Sequence, residues 1–383
     1  MSVTAAKGFT AAGIAAGIKE NGNPDLALVV NNGPRLAAAG VFTANRVKAA
    51  PVLWSEQVLK GGVVSAVVLN SGGANACTGP LGFQDTHATA EKAAEVLGHN
   101  AGEVAVASTG LIGIRLPMDR LLPGVERAAG ELSEHGGEKA ALAIKTTDTV
   151  HKTAVAGGEG WTVGGMAKGA GMLAPSLATM LVVLTTDADV DSPGLDAALR
   201  EATRTTFDRI DSDGCLSTND TVLLLASGAS GITPDEAEFA EAVRAVCADL
   251  ARQLIGDAEG ASKDIRIEVV NAASEDDAVE VGRSIARNNL LKCAVHGEDP
   301  NWGRVLSAIG TTSAVFEPDR LNVAINGVWV CKGGSVGEDR ELVDMRYREV
   351  VITADLAAGD ASAVVWTNDL TADYVHENSA YSS

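Results

Sequence analysis

The chain has 383 residues and a formal net charge of −20, from 30 Lys and Arg against 50 Asp and Glu. Nucleic acids and anionic membranes both require a basic patch on a protein, so this balance argues against either partner and favours small molecules. Hydrophobic residues make up 46% and charged residues 21%, which is enough apolar material for a folded core and excludes a disordered chain.

Short apolar runs typical of β-strands alternate along the chain with stretches that have the periodicity of amphipathic helices. This alternation predicts an α/β (α+β) fold in which helices cover layers of β-sheet. The predicted strands are Leu26–Val30, Val63–Asn70, Val104–Ser108, Met180–Thr185, Thr221–Ala226, Ile265–Val270, Leu321–Ile325 and Val350–Ala354. Two predicted helices begin at Ser192 and at Thr233. Three further helices are predicted over residues 84–97, 119–132 and 275–288.

The helix at Thr233 has the most specific start signal. Thr233 is the predicted N-cap, Pro234 the first helical residue and Glu236 the partner in a capping box. Apolar residues then recur at intervals of three and four, which indicates one buried face. Within residues 133–160, in contrast, the segments 133–139 and 156–160 are rich in glycine and charge, and we predict surface loops there.

The N-terminal residues 8–18 are apolar but do not predict export. They are rich in Gly and Ala, Lys7 is the only basic residue before them, and an acidic stretch follows. The apolar run Leu173–Leu184 is too short to cross a bilayer, which takes about 20 residues. We therefore expect a cytoplasmic protein. The five cysteines include no Cys-x-x-Cys pair, so we predict buried, reduced thiols without a zinc site or disulfide framework.

The densest run of small residues, 164–175, does not fit the common nucleotide loops. Gly169-x-Gly171-x-x-Ala174 matches a loose dinucleotide pattern, but Pro175 interrupts the helix that should follow and no clear strand precedes Gly169. A Walker-type phosphate loop is excluded because Lys168 is not followed by Ser or Thr.

Thr179 follows this run and precedes an apolar, strand-like stretch. An Ala–Thr pair alone most often marks an ordinary strand edge. Backbone cleavage before Thr179 would, however, free an α-amine beside its hydroxyl. With a pKa of about 7.7–8.0, that amine can act as the base for the nucleophile, and no Ser/His/Asp pattern is then needed.

Segments spread over nearly the whole chain carry a family resemblance. They are residues 161–172, Ala178–Leu181, Ala39–Asn45, Asn70–Gly79, Ser217–Thr221, Asp299–Arg304 and Asn378–Ser383. Together they resemble the ornithine acetyltransferases (glutamate N-acetyltransferases) of arginine biosynthesis. One departure is Gly73, where the family often has Asn, and it argues against a role for the side chain at that position.

The resemblance implies an N-terminal-nucleophile-like fold and a precursor that cleaves itself between Ala178 and Thr179. The products are an α chain, residues 1–178, and a β chain, residues 179–383, which form one intertwined catalytic unit. Thr179 then accepts the acetyl group of N2-acetylornithine, ornithine leaves, and glutamate takes the acetyl group in a ping-pong reaction. The resemblance implies an α2β2 assembly and neither metal nor organic cofactor. It leaves open acetyl-CoA as a second donor, and a specialised paralogue in place of the arginine-pathway enzyme.

The resemblance also implies the site residues. The family's oxyanion pair falls on Thr109 and Gly110, after the predicted strand Val104–Ser108; without the resemblance, this is an ordinary strand-to-loop glycine turn. A hydroxyl and a glycine N–H suit donors aimed at a developing negative charge. The family's substrate contacts fall on Thr146, Lys168, Thr179, Glu259, Asn378 and Ser383.

The opposite charges of Lys168 and Glu259 suit an amino-acid zwitterion, although a solvated surface position is the usual place for either residue type. The C-terminal contacts imply that the tail folds over the pocket. Two other functions stay open. An N-terminal-nucleophile aminopeptidase or amidase would use water as acceptor, and an acidic small-molecule-binding protein would never be cut before Thr179.

Overall fold

The computed structural model describes residues 2–174 and 180–380. They form two compact units, the first comprising residues 2–174, 180–208 and 215–257, and the second residues 209–214 and 258–380. Both units combine helices with sheets, so the predicted α/β class is confirmed. Every helix in the described ranges is too short or too polar to cross a bilayer.

The first unit contains two sheets. Its strands are β1 (Phe9–Ile14), β2 (Leu26–Asn31), β3 (Ala37–Phe42), β4 (Ala66–Asn70), β5 (Val104–Ser108), β6 (Lys152–Gly158), β7 (Trp161–Lys168), β8 (Leu181–Thr186) and β9 (Thr221–Ala226). Its helices are α1 (Ala50–Leu59), α2 (Gly79–Leu97), α3 (Met118–Gly130), α4 (Gly137–Ala143), α5 (Ser192–Thr205) and α6 (Glu236–Gly256). One sheet has the order β1-β2-β4-β5 and the other the order β3-β9-β8-β7-β6. The pairs β4–β5 and β8–β9 are parallel, and the other neighbouring strands are antiparallel.

The two sheets pack against each other, and helices cover their outer faces. Along β2, side chains alternate between the two faces, as in any strand. Leu28 packs in a cluster with Ala93 of α2 and Val125 of α3, whereas Val29 packs with Val183 of β8. On the outer face of the second sheet, a side chain at Gly165 would lie 3.0 Å from Val246 of α6. The first unit is therefore layered as helix, sheet, sheet, helix.

The second unit contains one sheet covered by helices. Its strands are β10 (Asp264–Ala272), β11 (Asn322–Ile325), β12 (Val328–Lys332), β13 (Ser335–Val336), β14 (Glu349–Asp355) and β15 (Ala361–Asn368). Its helices are α7 (Glu275–Ala286), α8 (Asn289–His296), α9 (Trp302–Ile309) and α10 (Ala372–Ala380). The strand order is β13-β12-β11-β14-β10-β15, with β10 and β14 parallel. The core lies between this sheet and α7 and α9, where Ile267, Val281 and Val305 are fully buried.

Each predicted strand and helix is present, with ends that differ by a few residues. The predicted N-cap Thr233 is wrong. Helix α6 begins at Glu236, and the Asp235 carboxylate accepts hydrogen bonds from the N–H groups of Ala237 (2.9 Å) and Glu238 (3.3 Å). A short acidic side chain that satisfies two free amides of the first turn is a stronger cap than the preceding Thr-Pro pair.

The prediction of surface loops at residues 133–139 and 156–160 is wrong in part, because α4 begins at Gly137 and β6 extends to Gly158. The glycines that suggested loops serve close packing instead. A Cβ at Gly136 would lie 1.7 Å from the Ala11 carbonyl oxygen, and one at Gly157 would lie 2.4 Å from the Trp161 carbonyl oxygen. The prediction that no clear strand precedes Gly169 is also wrong, since β7 ends at Lys168.

The prediction that the cysteines are buried holds for only part of the set. Cys247 and Cys331 are buried, but Cys77, Cys215 and Cys293 are exposed. All five lie within the described residues, and none of them forms a disulfide there. Residues 8–18, which resemble a secretory core, contribute β1, whose backbone pairs with β2 from Phe9 to Ile14.

Candidate active site

The predicted oxyanion residues lie where β5 ends, against the loop that follows β4. The N–H of Thr109 donates to the Asn70 carbonyl (2.9 Å), and the N–H of Gly73 donates to the Thr109 carbonyl (3.0 Å). The Ser108 hydroxyl donates to Oδ1 of Asn70 (2.6 Å), whose amide donates to the Gly73 carbonyl (2.9 Å). These bonds fix the backbone of Thr109 without using its hydroxyl.

Gly110 is required by the geometry of this loop. Its φ of +132° lies in the region that other residues rarely adopt. A Cβ at Gly110 would lie 2.7 Å from the Gly73 nitrogen and 2.9 Å from its Cα, both of them backbone atoms. A Cβ at Gly73 would meet only the movable end of the Leu116 side chain, at 3.0 Å. Position 73 thus contributes its backbone, which explains why the departure from the family pattern leaves the loop intact.

Lys168, the last residue of β7, lies beside Thr109 of the predicted oxyanion pair. Its Nζ donates to Oγ1 of Thr109 (3.3 Å), and both residues are 2% exposed. Because an ammonium group only donates, the Thr109 oxygen is the acceptor, and its own hydroxyl proton points to a different partner. The structure therefore brings two predicted site residues together and excludes a solvated surface position for Lys168.

Asp148 connects Thr146 to the same region. Its Oδ2 accepts from the N–H of Thr146 (3.0 Å), and its Oδ1 accepts from the N–H of Gly169 (2.7 Å). Burial opposes ionisation, but the ammonium groups of Lys168 and Lys152 hold the pKa of Asp148 well below its usual range. The sequence prediction missed Asp148, and the available signal was its position two residues after Thr146.

The predicted cleavage site, Ala178 and Thr179, lies outside the described residues, which resume at Met180. The N–H of Met180 donates to Oδ1 of Asp220 (3.1 Å), and this carboxyl group is fully buried. Burial raises the pKa of Asp220 well above its ordinary value. The sequence prediction assigned no role to Asp220, although it belongs to one of the motifs that carry the resemblance.

Two other predicted contacts lie in the second unit. Glu259 is 8% exposed, so it is not a solvated surface charge, and it lines a cavity of about 330 Å³ that also contains Arg287 and Lys292. Asn378 is exposed on the last turn of α10, where its amide donates to the Tyr374 carbonyl (3.0 Å). Ser383 lies outside the described residues.

The first unit therefore holds a hydroxyl, a glycine N–H and a buried ammonium group in one place. Preorganised donors of this kind stabilise negative charge that develops on a reacting carbonyl oxygen. Among residues 2–174 and 180–380, no three His, Cys, Asp or Glu side chains are grouped as metal ligands.

Comparison with known proteins gives concordant matches. A family model described as the ArgJ family matches residues 10–383. The chain is 85% identical to the arginine biosynthesis bifunctional protein ArgJ of Streptomyces avermitilis and 66% identical to that of Thermobifida fusca, over the full length of each. A crystal structure of ornithine acetyltransferase complexed with ornithine, from Mycobacterium tuberculosis, is 60% identical over 47% of this chain and 96% of that chain, with a TM-score of 0.45.

Proposed function

Because the chain belongs to the ArgJ family, we propose that it transfers the acetyl group of N2-acetylornithine to glutamate in arginine biosynthesis. The observation that carries this proposal is the 85% identity, over the full length of both chains, to a protein named for arginine biosynthesis. Since that relative is named bifunctional, we include acetyl-CoA as a second donor. An α2β2 assembly and a cytoplasmic location complete the proposal and are supported by the family alone.

The proposed nucleophile is Thr179, exposed when the precursor cuts itself after Ala178. The new α-amine takes the hydroxyl proton, and the Thr179 oxygen attacks the acetyl carbonyl of N2-acetylornithine. The carbonyl oxygen becomes negative in the tetrahedral intermediate. The Thr109 hydroxyl and the Gly110 N–H are the proposed donors to it, and the hydrogen bond from Lys168 to Thr109 supports this role because it leaves the hydroxyl proton free to donate.

Collapse of the intermediate breaks the bond between the acetyl carbon and the ornithine nitrogen. The protonated α-amine returns its proton to the departing nitrogen, and ornithine leaves the acetyl-Thr179 ester. The amine of glutamate then attacks the ester carbonyl through a second tetrahedral intermediate. The α-amine of Thr179 takes the proton that the glutamate nitrogen loses, the bond between the acetyl carbon and the Thr179 oxygen breaks, and the α-amine returns the proton to that oxygen as N-acetylglutamate leaves.

The proposed substrate contacts are Thr146, Lys168, Thr179, Glu259, Asn378 and Ser383. Lys168 supplies a positive charge for a carboxylate, and its burial strengthens that interaction relative to water. Glu259 supplies a negative charge for an amino group. The cavity that Glu259 lines supports a ligand-binding role for this residue.

The denatured mass of the purified protein, compared with that of a Thr179→Ala variant, tests the nucleophile. We expect two chains in the parent, residues 1–178 and 179–383, and one intact chain in the variant. An intact chain in both would favour a binding protein.

An assay with N2-acetylornithine labelled in the acetyl group tests the reaction. We expect label in N-acetylglutamate when glutamate is present. Release of free acetate at the same rate with and without glutamate would identify an amidase and overturn the proposed transferase.

A further inference from the structure

A chain of buried charges runs from the end of α6 to the proposed oxyanion donor. Lys152, at the start of β6, is fully buried, and its Nζ donates to Oδ1 of Asp148 (2.7 Å) and to Oδ2 of Asp257 (2.5 Å). Asp257 follows the last turn of α6, and it also accepts from the N–H of Thr149 (3.1 Å). Lys152 thus connects two carboxylates that lie far apart in the sequence.

Asp148 continues this chain toward Lys168. It accepts from the N–H of Gly169, the residue that follows Lys168, and it is close enough for the Lys168 ammonium group to favour its ionised form. Lys168 in turn donates to Oγ1 of Thr109. Along this path each charge is next to charges of opposite sign, in the order Asp257, Lys152, Asp148 and Lys168, and the two carboxylates balance the two ammonium groups.

Removing charges from water is unfavourable, and a buried pair is often no more stabilising than apolar residues of the same volume. A network in which Asp148, Lys152 and Lys168 are buried is therefore weak evidence for stability alone. The exposed pair of Arg244 and Glu241 on α6 (2.6 Å) shows that the same unit also forms ion pairs without this penalty. The buried charges indicate instead that these side chains are needed to hold a charged group in a fixed position.

We propose that Asp148, Lys152 and Asp257 are positioning residues, which hold the Lys168 ammonium group against the Thr109 hydroxyl so that this hydroxyl donates to the reacting oxygen. The inference rests on the proposed function, because the donor matters only if the chain carries out acyl transfer. None of the three residues is among the predicted site residues. In this proposal the network acts on kcat through Lys168 and Thr109, whereas the hydrogen bond from the N–H of Thr146 to Asp148 bears on substrate binding.

Lys152→Met tests this proposal, with kcat and KM measured per mole of cleaved chain. We expect kcat to fall by about tenfold or more, up to the roughly 10²–10³-fold loss expected when the donor itself is removed. KM should rise as well, because Lys168 is also a proposed substrate contact, so kcat alone reports on the donor. The double variant Lys152→Met/Asp257→Asn keeps one carboxylate, Asp148, and one ammonium group, Lys168, so the charges of the network balance again. It should recover most of the lost kcat even if the single variant folds poorly. Arg244→Met, which breaks the exposed pair on α6, is the matched control and should leave kcat unchanged.

A double-mutant cycle with Thr109→Val separates positioning from general structural damage. If the network acts through Thr109, Lys152→Met has little further effect on kcat in the Thr109→Val background. An equal fall in both backgrounds, or unchanged kcat in Lys152→Met, overturns the proposal. Failure of the unmodified protein to transfer acetyl groups would instead refute the proposed function, so the two failures are distinguishable.

Discussion

Replacing Thr109 by Val should separate catalysis from folding. Valine keeps the branched shape of threonine and removes the hydroxyl, whose oxygen accepts from Lys168 at 3.3 Å. The backbone bonds of Thr109 to Asn70 and Gly73 do not involve that hydroxyl. We therefore expect a folded protein that lacks one of its two proposed oxyanion donors.

The size of the effect follows from the geometry. Lys168 can only donate to the Thr109 oxygen, so the hydroxyl proton is available to the oxyanion, and both residues are 2% exposed and shielded from water. Loss of one such donor removes about 2.7–4 kcal/mol of transition-state stabilisation, which is roughly a 10²–10³-fold fall in kcat. KM should change little because the interaction forms in the transition state. Thr109→Ser, which keeps the hydroxyl, should recover most of the activity.

Ser108→Ala is the matched control because it removes the neighbouring hydroxyl. The Ser108 hydroxyl donates to Oδ1 of Asn70 (2.6 Å) within the fold, so its loss leaves a buried acceptor unpaired. We expect the free energy of unfolding to fall by about 1–3 kcal/mol. The fall in kcat should be much smaller than in Thr109→Val, because the backbone bonds of Thr109 to Asn70 and Gly73 remain. Steady-state acetyl transfer and denaturant unfolding measure the two effects. A Thr109→Val enzyme that keeps kcat within about threefold of the parent would refute the reasoning, since the expected loss is far larger.

Three further predictions concern the loop, the cleavage site and the tail. Gly110→Ala should lose activity and about 1–3 kcal/mol of stability, whereas Gly73→Ala should be nearly neutral; equal effects in the same assays would contradict the backbone argument. The raised pKa of Asp220 makes its neutral form stabilising, and this contribution is lost as pH rises above the ordinary value of 3.8 toward the folded-state pKa. Asp220→Asn in the uncut Thr179→Ala precursor should therefore flatten the fall in unfolding free energy as pH rises above 3.8, as measured by denaturant unfolding, and an unchanged slope would exclude Asp220 as its source. Deleting residues 378–383 should abolish turnover without shifting the denaturation midpoint, because the last turn of α10 is exposed; normal turnover would exclude the tail from the site.

The fold was predictable from the sequence where a buried element has a recognisable apolar pattern. β8 and β9 are buried along their whole length, so they appear as continuous apolar runs. β6 and β7 were missed because Gly157, Gly164 and Gly165 interrupt that pattern. A Cβ at Gly164 would lie 2.3 Å from the Ser2 carbonyl oxygen, so the glycine reflects a contact that local sequence cannot reveal.

The site shows the same division between local and long-range information. The motif resemblance supplied Thr109 and Lys168, and the structure places them in contact. Asp148 and Asp220 lie close in sequence to a predicted contact and within a motif, but their importance depends on burial and on partners distant in the chain. Asp148 lies 21 residues before Gly169, and Asp220 lies 40 residues after Met180. Only the folded chain reveals that both acids face the segments on either side of the proposed cut.

The pairing of β7 with β8 would hold the residues of the site in place after the precursor cleaves itself. The proposed cut lies between these strands, which pair in antiparallel register from Val163 with Thr186 to Lys168 with Leu181. β8 is fully buried and also pairs with β9, so its position depends on backbone bonds to both neighbours. Those bonds need no covalent connection between β7 and β8. Cleavage would therefore free an α-amine beside the Thr179 hydroxyl while Lys168 stays in the same sheet as the new chain.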